Sequence, residues 1–259
     1  MNKIILAAAL TLCTAAPSFA ASVFVGSSNG TIGTLDTDTG VLSGAYDAGP
    51  GWFDIAVDSS GDVYGTTGSS LYSIDVDNSA QGVLLGGHSA LNGLAFDDSD
   101  TLFGSGGNRL FTLDTTTGAS TVVGNVGSGF SSSGDLAFSA SGVLFGTSNG
   151  GCSGGGDCLF SIDAVTGVGT YIGDIGFSAV FGLSRIGSTL FGMTASDQLI
   201  SIDMGTGAGT LIDTYNISGQ TYGAAVPASA ATIPLPAGGW LLLSGFGALA
   251  AARRRRKQS

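Results

Sequence analysis

The chain has 259 residues, 45 of them glycine, and its 19 acids are all aspartate because the sequence contains no glutamate. Of eight basic residues only Arg109 and Arg185 lie away from the two ends, so the body between them carries a formal charge of −17. Such a charge excludes binding to nucleic acid phosphates or to an anionic membrane surface, and the single histidine leaves few bases for nucleophilic catalysis.

Residues 1–20 read MNKIILAAALTLCTAAPSFA: one early lysine, an apolar run from Ile4 to Leu12, and Ser18 and Ala20 at the small-residue positions before Ala21. This is the pattern of a secretory signal peptide. Leu12 stands where a lipoprotein signal would place a small residue before Cys13, which argues against lipidation.

From Ala21 the chain is a repeat array. The stretch LFTLDTTTG from Leu110 recurs as TIGTLDTDTG from Thr31, LYSIDVDNS from Leu71, LFSIDAVTG from Leu159 and LISIDMGTG from Leu199. A period of about 40 residues with several short strands in each unit is the pattern of propeller blades. Asp and Gly are turn residues, and the Val, Ile, Leu, Phe and Thr between them suit pleated surfaces, so the body reads as all-β. Each unit yields four short strands, the first beginning at Asp54, Gly93, Asp135, Gly182 and Gly223. The front of the array lacks a first strand, and the segment Tyr222 to Val226 has no second strand after it. The economical arrangement is a five-bladed β-propeller over residues 21–226, in which the C-terminal strand completes the N-terminal blade and closes the ring.

In each repeat the Asp of the Asp-x-x-Thr-Gly turn, Asp36, Asp114, Asp163 and Asp203, can accept backbone N–H groups while Gly takes a positive φ. The copy at Asp75, followed by Asp77, Asn78 and Ser79, is degenerate. Each turn offers too few oxygens for the six to eight ligands of Ca²⁺. One interval is about ten residues too long, and the extra residues hold Cys152 and Cys158. In an oxidising compartment these two form a disulfide, contributing about 2 kcal/mol for so short a loop.

Residues 227–232 form a linker of small residues. The tail at 233–259 then gives Ile233, Pro234, Leu235, Pro236 and Ala237, an apolar stretch to Ala252, and the basic run Arg253, Arg254, Arg255, Arg256 and Lys257. Counted from Ile233 the apolar stretch suffices for a transmembrane helix, and the basic end places the body on the outer side. The tail resembles the PEP-CTERM class of bacterial sorting signals, in its VPLPA variant, with Ile233 in place of Val. The resemblance covers about the last 27 residues. It implies recognition by an exosortase-type membrane transpeptidase and transient anchoring in the inner membrane. Cleavage near the proline motif and delivery to the cell surface or extracellular matrix of a Gram-negative bacterium would follow. A permanent single-pass anchor is the alternative.

Candidate site residues lie in the loops that lead into the first strands, because those strands line the central channel of a propeller. The loops carry Trp52 and Phe53, His88 and Asn92, Phe130, Phe177 and Phe181, and Tyr222. Aromatic rings around a channel mouth can stack on sugar rings or receive an apolar group from a partner, or can plug the channel. Asp54 and Asp135 replace the glycine that the other three copies carry at the start of the first strand, and two acids facing a channel could hold a cation such as Ca²⁺ or share a proton. No other cofactor is indicated. The sequence supports a non-catalytic binding or matrix protein, and the resemblance of the tail to the sorting family implies association with exopolysaccharide, biofilm or another surface protein. The competing reading is an extracellular hydrolase or lyase using the channel acids.

Overall fold

The computed structural model describes residues 21–227. The expected signal peptide, the linker beyond its first residue and the sorting tail lie outside the described residues. Twenty strands run in chain order. The first seven are β1 (Ser22–Ser27), β2 (Thr31–Asp36), β3 (Leu42–Asp47), β4 (Asp54–Val57), β5 (Val63–Thr66), β6 (Ser70–Ile74) and β7 (Val83–Gly87). They are followed by β8 (Gly93–Phe96), β9 (Leu102–Gly106), β10 (Arg109–Leu113), β11 (Ser120–Asn125), β12 (Ser132–Phe138), β13 (Leu144–Ser148) and β14 (Cys158–Ile162). The last six are β15 (Gly169–Asp174), β16 (Val180–Ile186), β17 (Thr189–Thr194), β18 (Gln198–Ile202), β19 (Gly209–Thr214) and β20 (Thr221–Ala225). Among the described residues no helix is long and apolar enough to cross a membrane.

The strands form five antiparallel four-stranded sheets, and β20 is the innermost strand of the sheet β20-β1-β2-β3. The ring is therefore closed as the repeat pattern predicts: Val25 of β1 lies opposite Ala224, and Phe24 opposite Ala225. Closure pairs an edge that would otherwise be open and ties the two ends of the array into one blade. Inner strands are buried on both faces, as in β13, where every position is buried, whereas the outermost strand β19 is largely exposed. This explains the weak alternation in the sequence, since strands sandwiched between neighbouring sheets need apolar residues on both sides.

The core is divided among five buried clusters, one for each junction between adjacent blades. Ile32 and Ala225 of the first blade meet Ile55 and Val63 of the second, and Val23 and Leu35 meet Phe191 and Met193 of the fifth. In every blade the pairing of the third and fourth strands carries a bulge, as between Leu110 and Phe111. A bulge twists an outer strand and makes it a poor template for another chain.

The repeated aspartates act as turn residues. Asp114 Oδ1 accepts the amides of Thr116 at 2.8 Å and Thr117 at 2.9 Å, and Gly118 follows at φ 72°. Those bonds, the amide of Thr117 first, hold the Asp114 carboxyl below the ordinary carboxylate range. The copies at Asp36, Asp163 and Asp203 repeat the geometry, with Gly40, Gly167 and Gly207 at positive φ. In the degenerate copy Ser79 takes the same left-handed backbone at φ 50° without being glycine. The long fourth unit holds the disulfide between Cys152 and Cys158, with Cα atoms 5.5 Å apart, inside the usual range for such a bond.

Candidate functional site

The five innermost strands β4, β8, β12, β16 and β20 surround the propeller axis. In a strand that pairs on one side only, every second N–H points away from its partner, here toward the axis. Asp54 and Asp135 collect these groups. Asp54 Oδ1 accepts the amide of Ile55 at 2.7 Å and Oδ2 that of Leu94 at 2.5 Å. Asp135 Oδ1 accepts the amide of Leu136 at 2.6 Å, and its Oδ2 accepts those of Leu183 at 2.6 Å and Ala224 at 3.2 Å. The five donors come one from each blade, at the residue following the position where Asp or Gly stands.

Both acids are completely buried, and their carboxyl groups are close enough for each to affect the other's proton. Burial raises both, pushing Asp135 up to about 8, and the neighbouring Asp135 charge lifts Asp54 further, well above the ordinary range. Two adjoining carboxylates in so dry a place cannot both ionise, so the pair retains at least one proton at neutral pH. The donor set fits a shared proton better than a cation, because a metal ion there would face the positive ends of five N–H dipoles. Glycine at the other three copies makes the room: a Cβ on Gly223 would fall 2.5 Å from Oδ1 and Cα of Asp54, and one on Gly93 would fall 2.4 Å from the Gly134 carbonyl oxygen.

One end of the channel is capped by aromatic side chains. A cavity of about 120 Å³ is lined by Phe53, Asn92, Ser133, Gly134, Phe181 and Tyr222. Phe53 stacks on Tyr222 with centroids 5.6 Å apart, and Phe181 meets Tyr222 edge-on at 5.2 Å. Asn92 donates from Nδ2 to Ser132 O at 3.0 Å, while its buried Oδ1 has no partner. Phe53 remains 43% exposed and is the accessible face of the cap. The other end opens into a cavity of about 200 Å³ with Arg185 among its lining residues. The Arg185 guanidinium is tied down there by Nε to Phe138 O at 2.7 Å and by Nη1 to Gly187 O at 2.8 Å.

Four of the eight mouth residues expected from sequence, Phe53, Asn92, Phe181 and Tyr222, thus meet at one cavity. Trp52 and Phe130 do not. Trp52 is fully buried in the junction of the first two blades, donating Nε1 to Gly30 O at 3.1 Å and packing edge-on against Tyr72. Phe130 is buried against Phe160 in the junction of the third and fourth blades. Neither offers a face to a ligand, because a blade junction needs a large apolar residue there more than the mouth does. His88 also stands outside the cavity, with Nε2 3.0 Å from Thr66 Oγ1 and Nδ1 2.5 Å from Ser89 O, and Phe177 packs against the junction of the last two blades. Ser133 and Gly134 were not anticipated, since nothing in their residue types marks a lining position.

The fold and its axial site define a five-bladed β-propeller with two buried acids among its innermost strands. No family model and no curated protein matches the chain. Among solved structures it is similar to a protein from a study of the de novo evolutionary emergence of a symmetrical protein, at 16% identity over 78% of this chain and 93% of that one, with a TM-score of 0.47. It is also similar to a protein of unknown function from Bacteroides caccae, at 11% identity over 76% of this chain and 73% of that one, with a TM-score of 0.43. Neither likeness brings a ligand or a reaction with it.

Proposed function

We propose that the chain is an exported, surface-sorted β-propeller that works as a non-catalytic binding or matrix protein, associated with exopolysaccharide or another surface protein. The observation that carries the non-catalytic reading is the complete burial of Asp54 and Asp135. A glycoside hydrolase needs two carboxyls about 5–9.5 Å apart with the sugar between them. Here the two acids are sealed from solvent, and their oxygens are taken up by backbone amides. The address rests on the ends of the chain, the signal-like residues 1–20 and the motif Ile233 to Ala237 with Arg253 to Arg256 behind it.

Two measurements test the proposal. Purified protein screened on a glycan array and assayed for turnover of the same glycans should bind without turnover. Turnover abolished by Asp135→Asn would instead make it an enzyme. Mass spectrometry of the mature C-terminus on surface-localised protein should find the chain ending near Pro236, and an intact Arg253 to Ser259 run would leave a permanent anchor in place of sorting.

A further inference from the structure

The cavity at the aromatic mouth has a chemistry of its own. Every blade contributes to it: Tyr222 from the first, Phe53, Asn92 and Phe181 from the second, third and fifth, and Ser133 with Gly134 from the fourth. At about 120 Å³ it is smaller than a cavity of about 150 Å³ that holds benzene, so it admits one small group and not a whole sugar ring. Three of its six lining residues are aromatic, and the faces of such rings are negative. Among its lining residues one buried side-chain atom lacks a partner, the acceptor Oδ1 of Asn92. The orientation of that amide is fixed by Nδ2 donating to Ser132 O, since turning it over would set two acceptors together.

Charge selects further. No basic side chain lines the cavity, and the body carries a formal charge of −17. An anionic group entering would meet aromatic faces, a lone acceptor and a strongly negative body, all unfavourable. A small cation bearing an N–H satisfies each of these features at once. We propose that the mouth of this propeller binds a primary alkylammonium group, supplied either by a free small amine or by the end of a lysine side chain on a partner polypeptide. This rests on the binding-protein reading above and names the group it recognises. The aromatic faces hold the charge, Asn92 Oδ1 accepts one ammonium proton, and the alkyl chain leaves past the exposed edge of Phe53.

Isothermal titration of the full-length protein with n-butylammonium chloride, tetramethylammonium chloride, n-butanol and an N-acetyl-lysine amide tests this. Butylammonium should bind at least about tenfold more tightly than butanol, which lacks the charge, and than tetramethylammonium, which lacks an N–H for Asn92. Phe53→Ala, at a position 43% exposed, should weaken butylammonium about tenfold while the far-ultraviolet circular dichroism stays that of the folded protein. Asn92→Leu should equalise butylammonium and tetramethylammonium. Tighter binding of the lysine amide than of butylammonium would assign the source to a partner chain, and equal or weaker binding to a free amine. Butanol binding as well as butylammonium, or affinity unmoved by Phe53→Ala, would overturn the proposal, the latter by placing the ammonium on exposed aspartates. A neutral glycan that binds while butylammonium does not would overturn the ligand class and keep the binding-protein reading. Glycan turnover would remove that reading without touching the ammonium measurement.

Discussion

Replacing Asp54 by Asn changes how stability depends on pH by an amount that follows from linkage. Asp54 has a folded-state pKa raised well above the ordinary value, first by burial and then by the Asp135 charge. Its proton therefore stays on in the folded protein at pH values where the unfolded chain has lost it. Stability from such a group is fully present below the unfolded value near 3.8 and is lost as pH rises toward the folded one. Above about pH 5 the unfolded Asp54 is almost wholly ionised, so at this one group the folded state holds about one extra proton, which contributes a slope of about 1.4 kcal/mol lost per pH unit.

Asn keeps the shape and can still donate to Asp135, but it takes up no proton. It should cost about 1–3 kcal/mol at pH 5, because its NH₂ cannot accept one of the two amides now bound. The deficit should then shrink by about 4 kcal/mol between pH 5 and pH 8, as the wild type loses stability and the variant loses less. Urea unfolding of both proteins at half-unit steps across that range measures it. Parallel slopes, or a wild-type stability flat from pH 5 to 8, would refute a proton held on this pair. The exposed turn aspartates do not confuse the result: Asp36, Asp114, Asp163 and Asp203 are shifted down, so their contribution is lost only as pH falls below the ordinary carboxylate range.

Other substitutions probe the scaffold. Ser79→Gly should stabilise by about 1 kcal/mol, seen as a higher urea midpoint with unchanged m-value, because Ser79 sits at φ 50° where its four counterparts are glycine. Gly124→Ala should destabilise by about 2 kcal/mol or more in the same assay, since a Cβ there would run into the Thr166 carbonyl of the next blade. Removing the disulfide as Cys152→Ser/Cys158→Ser should cost about 2 kcal/mol and leave the far-ultraviolet circular dichroism unchanged, a loss of the β spectrum being the contrary result.

The blade count and the closing strand were legible because they rest on a local signal. In four of the five copies an Asp accepts amides two and three residues on and a glycine at positive φ follows it, so one short pattern marks the turn. The mouth was only half legible. Trp52 and Phe53 are neighbours on one loop, yet one is sealed in a blade junction and the other faces out, because the Trp52 amide bonds to Ser27 O and the Phe53 amide to Thr66 O. No property of a tryptophan beside a phenylalanine predicts which bond forms. A signal did exist in the partners: Gly65 and Gly82 each leave room against the Trp52 ring, where a Cβ would come within 2.8 Å. The same holds for Gly86, Gly124 and Gly173, which lie on the outer strands where the next blade's turn presses in and which residue type alone marks only as weak strand formers.

The number of acids on the axis follows from the number of blades. Fivefold repetition aims five N–H groups at a space too narrow for water to solvate them freely, and an unsatisfied buried N–H is costly. One carboxylate cannot reach all five, as Asp54 takes two from adjacent blades and Asp135 takes three. A third acid would find no donors left, would add a further buried charge, and at Gly223 would start from a Cβ already in contact with Asp54. Two acids holding a proton between them supply acceptors for every blade at the smallest buried charge, which is why the repeat departs from glycine at Asp54 and Asp135 and nowhere else around the ring.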